Sequence, residues 1–420
     1  MDLENRKISA GEIVIPLSRT LDLIDNRLIN HHRRVAYIAS AIGREMNLSS
    51  EAMKDLVIAS SLHDLGAINE KTRDGLCKFD TDDVSEHAET GYRLLRKFTP
   101  FSKVAEIIKW HHASYDSARD PAVPHQSFII HLADRVDILL DKNEHILDQV
   151  EKVYHILREK SGKKFSPEIF EAFRAVSSND FFWLELENSD ISAILKEKLN
   201  SENAFIDIKG LYTLAEIFSR IIDFKSSFTA THSAGVAAVS GALSSYFDFD
   251  GDDRFMMELA GLFHDIGKVA VPEEILNKEG SLSPHEFNIM KRHVYYTHRV
   301  FSGNDLFDKI RKWASSHHEM LDGSGYPFRL KGNEIDTGSR ILVVADKFTA
   351  LMEDRPYRSG LSGKEAMKLI QQMSDRGLLC RDVVSVLNRN FDDINNIRLI
   401  AQRKEFNEYL NLQQDELCRE

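Results

Sequence analysis

ELAGLFHDIGK, residues 258–268, sets His264 and Asp265 side by side in an apolar frame. Leu259, Leu262, Phe263 and Ile266 recur at helical spacing, so the stretch reads as a buried helix carrying two polar residues in succession. Burying an imidazole and a carboxylate is costly unless something pairs with both. A lone His-Asp pair is most often a satisfied core histidine beside a capping aspartate. This pair is not alone. SSLHDLG at 60–66 repeats it, and each copy is surrounded by further His and Asp residues, which makes metal ligation the leading reading.

The two halves of the chain align by these landmarks. The first has His31, His63-Asp64, His87, His111-His112 and Asp134; the second has His232, His264-Asp265, His293, His317-His318 and Asp346. The interval from His31 to His63 equals that from His232 to His264, and the interval from His87 to His111 equals that from His293 to His317. Local context agrees, as HHRRVA against HSAGVA and LADRVD against VADKFT. Ten of the 17 histidines fall on shared positions, so a duplicated helical domain explains the pattern better than chance. The second half is longer in two intervals, and one of them holds HHEMLDGSGYP, residues 317–327, whose Gly and Pro mark a shaped loop. Beside metal ligands, such a loop is where substrate recognition is expected. Residues 141–205 read as further helices, and KLNSENAFIDIKG loses helical periodicity, placing the junction near 195–205. The expected architecture is all-α, with two tandem helical domains at 1–200 and 201–420. The C-terminal NEYLNLQQDELCRE reads as a polar helix or a frayed end.

Composition narrows the function classes. A net charge of −12 with no basic stripe argues against binding polymeric nucleic acid or an anionic membrane. The longest apolar runs are far too short to cross a bilayer, and the N-terminus lacks a signal-peptide layout. Cys77, Cys380 and Cys418 form no metal-type pair and no disulfide framework, so a reduced, cytoplasmic protein is expected.

Five histidines and two aspartates per half suit two adjacent divalent ions, and imidazole with carboxylate favours iron, manganese, nickel or zinc over magnesium. Asp265 can bridge, with one oxygen on each ion. A paired site of this kind supplies the Lewis acidity and acidified water for in-line displacement at phosphorus. Lys268, one turn beyond His264, points to the same place and can balance phosphate charge. Trp110 and Trp313 precede the double histidines and read as core residues. His285 and His298 lack partners in the repeat and read as surface or capping residues, and His32 reads as the outward-facing neighbour of His31.

On HDIGK (264–268), HHE (317–319), DGSGYP (322–327), RILVVAD (340–346) and RPYR (355–358), the second half resembles an HD-GYP domain, the branch of the HD phosphohydrolase superfamily that opens cyclic dinucleotides. The resemblance implies that His232, His264, Asp265 and Asp346 hold one metal and that Asp265, His293, His317 and His318 hold the other. It gives Lys268 to the scissile phosphate and Arg355 and Arg358 to substrate phosphate or base. Gly325, Tyr326 and Pro327 shape a loop that also serves protein contacts in the family; a homodimer stays open. Phe228 stands where some relatives carry a glutamate for a third metal, so two are expected. Val294 and Thr297 replace the usual Pro and Gly, and Thr349 replaces a common aspartate. The implied reaction is hydrolysis of cyclic di-GMP or, as the close second, 3′,3′-cyclic GMP-AMP to a linear 5′-phosphorylated dinucleotide.

The first half resembles a plain HD domain over the ligand frame alone. Ala67 replaces the lysine, HHASYD replaces HHE, and there is no GYP loop. Three roles stay open for its set of His31, His63, Asp64, His87, His111, His112 and Asp134. It can be a regulatory scaffold, a second phosphohydrolase that removes the 5′-phosphate, or a metal or nucleotide binder without turnover. For the whole chain, a non-catalytic dinucleotide sensor acting through the GYP loop is the alternative from another class; a general nucleotide phosphatase is a third.

Overall fold

Each ligand frame is built on a pair of helices that the sequence brings unusually close. In the second half, helix Gly251–Phe263 starts at Asp250, whose carboxylate accepts the Asp253 N–H at 2.8 Å. It lies against helix His232–Ser244 so closely that a Cβ on Gly261 would stand 2.5 Å from the Ala237 Cα. Only a glycine there lets the two backbones meet. The same contact sets His232 at the start of one helix beside His264 at the end of the other.

A computed structural model describes residues 7–24, 28–67, 79, 85–116, 122–188, 191–225, 231–303, 305–354 and 359–417. These are almost wholly helical, in keeping with the all-α expectation; the described strands are the two-residue pair Ile8–Ser9 and Phe205–Ile206, antiparallel with Ile8 opposite Ile206. By contacts the chain divides into two compact units, 5–211 and 212–420 with residues 1–4, and the division falls inside helix Ile208–Lys225. No helix among the described residues is long and apolar enough to cross a membrane.

In the 5–211 unit, helix His31–Glu45 buries Val35, Ile38, Ala39 and Ile42 at helical spacing. It packs on helices Ser50–Leu62 and His125–Leu139. Helices Val150–Lys160, Pro167–Val176, Asp180–Leu186 and Ile191–Ser201 complete the unit, with Phe173, Phe182 and Trp183 stacked edge to face. In the other unit, helix His232–Ser244 is enclosed by Gly251–Phe263, Thr337–Met352 and the 27-residue helix Phe391–Leu417. That last helix runs on to Leu417, so the stretch from Asn407 is helical as far as it is described. Ile394, Arg398, Gln402 and Glu405 are all buried, and Arg220 pairs with Glu405 through two guanidinium nitrogens, Nε and Nη2.

One expectation needs correction. The 258–268 stretch is not one helix: the α-helix ends at Phe263, and Ile266–Ala270 continues as a 3-10 turn. Gly267 sits so near helix Arg292–Val300 that a Cβ would lie 1.9 Å from the His293 carbonyl oxygen. The chain must tighten to pass, and the tightening puts His264 and Asp265 at the helix end, where both side chains reach one pocket. Thr297 secures the turn, donating to the His264 carbonyl at 3.0 Å and accepting from the Gly267 N–H at 3.2 Å.

Candidate metal centres and active site

The histidines of the second half are aimed by their own backbone. His264 Nδ1 donates to the Gly261 carbonyl at 2.7 Å, His293 Nδ1 to Met290 at 2.6 Å and His317 Nδ1 to Ala314 at 2.5 Å. Each bond places the ring proton on Nδ1 and leaves the Nε2 lone pair facing inward. His232 does the same with a carboxylate, its Nδ1 bonding Glu353 Oε2 at 2.9 Å.

Around this ring of imidazoles the two oxygens of Asp265 part company. Oδ2 lies 3.1 Å from His264 Nε2 and 2.6 Å from Lys268 Nζ. Oδ1 lies 3.5 Å from His293 Nε2 and 3.9 Å from His317 Nε2. Asp346 Oδ1 is 3.3 Å from His232 Nε2 and 4.0 Å from His264 Nε2. The His318 ring stands against His317 and His293. The structure thus brings together His232, His264, Asp265, Lys268, His293, His317, His318 and Asp346. Arg355 and Arg358 lie outside the described residues, as do Phe228, Cys77 and Cys418; Cys380 is a buried free thiol.

This pocket suits cations. Burial pushes His317 down to about 3 and His293 to about 4, so both stay neutral. Burial would also depress His232, but Glu353 and Asp346 raise it to about 10. Against the desolvation that would raise it, His264 and Lys268 hold Asp265 well below the usual carboxylate range. Carboxylates of Asp265 and Asp346 face the pocket beside Lys268, and His264 Nε2 is buried without a hydrogen-bond partner. Imidazole lone pairs and carboxylates around an unpartnered nitrogen form a donor set for divalent transition ions.

The loop is anchored by a residue to which the sequence reading gave no role. Glu319, buried, accepts the N–H groups of Phe328 at 2.7 Å, Arg329 at 3.2 Å and Leu330 at 2.9 Å. Three bonds fix the chain just beyond the GYP turn, and the Tyr326 ring lies 4.8 Å from that of His318. Glu353 is another missed residue. It stands one turn after Thr349, on the same helical face, and does for His232 what Asp137 does for His31 in the first half, where Nδ1 meets Asp137 Oδ2 at 2.7 Å. Gln402 donates to the other Glu353 oxygen and accepts from Arg398, so the C-terminal helix supports a candidate ligand. Glu353→Ala is expected to weaken metal binding at the His232 corner roughly 10- to 100-fold, with Glu353→Gln intermediate. Metal content after dialysis measures it; unchanged retention in both variants would leave Glu353 without this role. Trp313 is buried as expected, while Trp110 is half-buried under Lys109. His285 is exposed; His298 is half-buried and bonded to Ser315 and Arg311.

The first half repeats the arrangement. His63 Nδ1 bonds the Ser60 carbonyl at 2.9 Å and His111 Nδ1 that of Ile108 at 2.6 Å. Asp64 Oδ2 faces His63 at 3.2 Å and His31 at 3.7 Å, while its Oδ1 faces His87 at 3.3 Å and His111 at 3.6 Å. His112 Nε2 approaches His87 Nε2 at 3.1 Å, and Asp134 Oδ1 is 3.4 Å from His31 Nε2. All seven predicted residues converge. His32 does too, against the expectation that it faces outward: it is fully buried, with Nδ1 on Asp22 Oδ1 at 2.7 Å and Nε2 turned toward Asp64.

Helical bundles that close His and Asp side chains around such pockets define the metal-dependent HD phosphohydrolases. Residues 28–139 match one HD domain family and residues 216–379 another. Along most of its length the chain is 31% identical to 3′3′-cGAMP-specific phosphodiesterase 1 of Vibrio cholerae, covering 89% of this chain and 90% of that one. It is 26% identical to phosphodiesterase 3 of the same name and organism, covering 89% and 92%. Against the cyclic di-GMP phosphodiesterase of Thermotoga maritima it is 33% identical, over 43% of this chain and 52% of the relative. The crystal structure of the V. cholerae cyclic GMP-AMP phosphodiesterase V-cGAP3 superposes with a TM-score of 0.67 at 22% identity, covering 92% and 98%, which shows a shared fold. The chain belongs to this family of two-domain HD phosphodiesterases.

Proposed function

We propose that the second half opens 3′,3′-cyclic GMP-AMP by hydrolysing a 3′,5′-phosphodiester, releasing a linear dinucleotide with a 5′-phosphate. The observation that carries the reaction is the split of Asp265, whose Oδ2 turns to His264 while its Oδ1 turns to His293 and His317. In this reading His232, His264, Asp265 and Asp346 hold one divalent ion, and Asp265, His293, His317 and His318 hold a second. The ions, drawn from iron, manganese, nickel or zinc, would supply Lewis acidity and an acidified water. Lys268 keeps its ammonium at the mouth of the pocket, 2.6 Å from Asp265 and one-fifth exposed, where a phosphate oxygen can take it as donor. Tyr326 and Gly325 form the wall beside His318, and the family resemblance gives Arg355 and Arg358 the role of binding phosphate or base.

The mixed ring is preferred over cyclic di-GMP because two relatives aligned with both halves are named for cyclic GMP-AMP, whereas the Thermotoga relative named for cyclic di-GMP aligns with less than half of this chain. The first half lacks the lysine, having Ala67, and serves as a regulator or as a phosphohydrolase acting on the 5′-phosphate of the product.

The test is turnover of cyclic GMP-AMP, cyclic di-GMP and cyclic di-AMP, side by side, by manganese-loaded full-length protein with products separated by chromatography. Cyclic GMP-AMP is expected to be cleaved at least ~10-fold faster, the scale of discrimination a few base contacts provide. Faster cleavage of cyclic di-GMP would overturn the base preference. Tight binding of a ring with no turnover would replace the enzyme by a sensor acting through the 317–327 loop.

A further inference from the structure

We propose that His32 is a fifth protein ligand to an ion held by His31, His63, Asp64 and Asp134, closing the first-half site where its second-half counterpart is open. The inference uses the first half's residues alone and stands whichever ring the second half cleaves.

His31, His32 and His63 crowd around one carboxylate oxygen. Their Nε2 atoms lie 3.7, 3.8 and 3.2 Å from Asp64 Oδ2, and their ring centroids are 5.1–5.3 Å apart. All three Nε2 atoms are buried and without a hydrogen-bond partner, as is Asp64 Oδ1. Each ring has its Nδ1 occupied, by Asp137, Asp22 and the Ser60 carbonyl respectively. With the ring proton held there, each Nε2 offers a lone pair toward the others and toward a carboxylate. Acceptors facing acceptors in a dry pocket repel, and a cation at their centre resolves it. The distances to Asp64 Oδ2 suit that cation, since ligands about 2.1 Å from one ion stand roughly 3–4 Å from each other. Asp134 completes the set, since Arg135 takes its Oδ2 at 2.7 Å and leaves Oδ1 facing His31.

The second half shows what is different. Ser233 occupies the position after His232, and its hydroxyl turns back to Asp223 at 3.1 Å, away from any ligand role. Asp22 and Asp223 precede His32 and Ser233 by the same interval, so one carboxylate serves a ligand in one half and a hydroxyl in the other. Three imidazoles and two carboxylates would offer an ion five protein donors, against the four of His232, His264, Asp265 and Asp346, and so leave less room for water or substrate. Closed sites hold metal as structure; open ones do chemistry.

The experiment uses the full chain carrying Asp265→Ala, which strips the bridging ligand from the second half, loaded with zinc and dialysed against graded chelator. Zinc per chain is counted by mass spectrometry. Zinc is expected to persist in this chain, and adding His32→Ala is expected to release it at a chelator concentration roughly 10-fold lower or less. In the cobalt-loaded protein the same substitution should change the visible absorption, reporting a lost nitrogen ligand. His32→Gln, which retains a donor for Asp22, guards against misfolding; its metal-free melting temperature should match the parent while its zinc is still lost early. Zinc release at the parent's chelator concentration in both His32 variants would overturn the proposal. So would a parent chain that holds no zinc in its first half.

Discussion

Asp265→Ala is expected to slow ring opening by roughly 10³-fold or more, the scale seen when a group that organises transition-state charge is removed. Among the described residues, Asp265 reaches His264, Lys268, His293 and His317. Its two oxygens face separate sets of imidazoles, and its carboxylate is the partner of Lys268 at 2.6 Å. Alanine therefore removes the link between the two sets of imidazoles and the lysine's partner in one change. Metal content should fall together with rate, and adding excess metal should not restore activity. Asp265→Asn keeps the shape and one acceptor oxygen, so it should retain more metal than alanine but little turnover. The parallel variant is Asp64→Ala, which removes the matching carboxylate from the first half. Ring opening that survives Asp265→Ala and disappears in Asp64→Ala would move the chemistry to the first half.

Much of this pocket could be read from residue spacing because metal ligands are constrained twice, in type and in interval. The repeat brought fourteen side chains into view, and the structure gathers them into two clusters. What spacing could not reveal is the support behind them. Thr349 stands where a carboxylate was expected, and the deficit is made good by Glu353 one turn later, a substitution invisible until the helix is built. Ahead of that tail, the C-terminal helix carries a buried face that is itself largely polar. Arg398, Gln402 and Glu405 bond to other polar groups, so no apolar stripe marks them. His32 was misjudged for a geometric reason. Neighbours on a helix point about 100° apart, which ordinarily turns one of them to solvent. Here the chain enters helix His31–Glu45 from Asn30 in the left-handed region, and Asp22 draws the second ring inward, so both flank the same pocket. The equal offset of Asp22 and Asp223 from their histidines was the available signal.

Gly267→Ala is the second change with a large expected effect, and it acts without touching a ligand. The added methyl would sit 1.9 Å from the His293 carbonyl oxygen and 2.8 Å from the Thr297 nitrogen. Both are backbone atoms of helix Arg292–Val300, so no side chain can rotate away. The turn and the helix must separate, breaking the two Thr297 bonds and carrying His293 away from Asp265. Overpacking of this kind costs about 1–3 kcal/mol of stability. A displacement near 1 Å between reacting groups costs roughly 10²-fold in rate. We therefore expect a melting temperature lower by several degrees, weaker binding of one metal, and ring opening slowed about 100-fold. Gly66 repeats the constraint, a Cβ there meeting the His87 carbonyl oxygen at 2.1 Å. Gly66→Ala should destabilise the first half to a similar degree while leaving the metal content of the second unchanged. If Gly267→Ala kept wild-type rate and metal content, the tight turn would be a packing detail and not the device that brings Asp265 between its two sets of histidines.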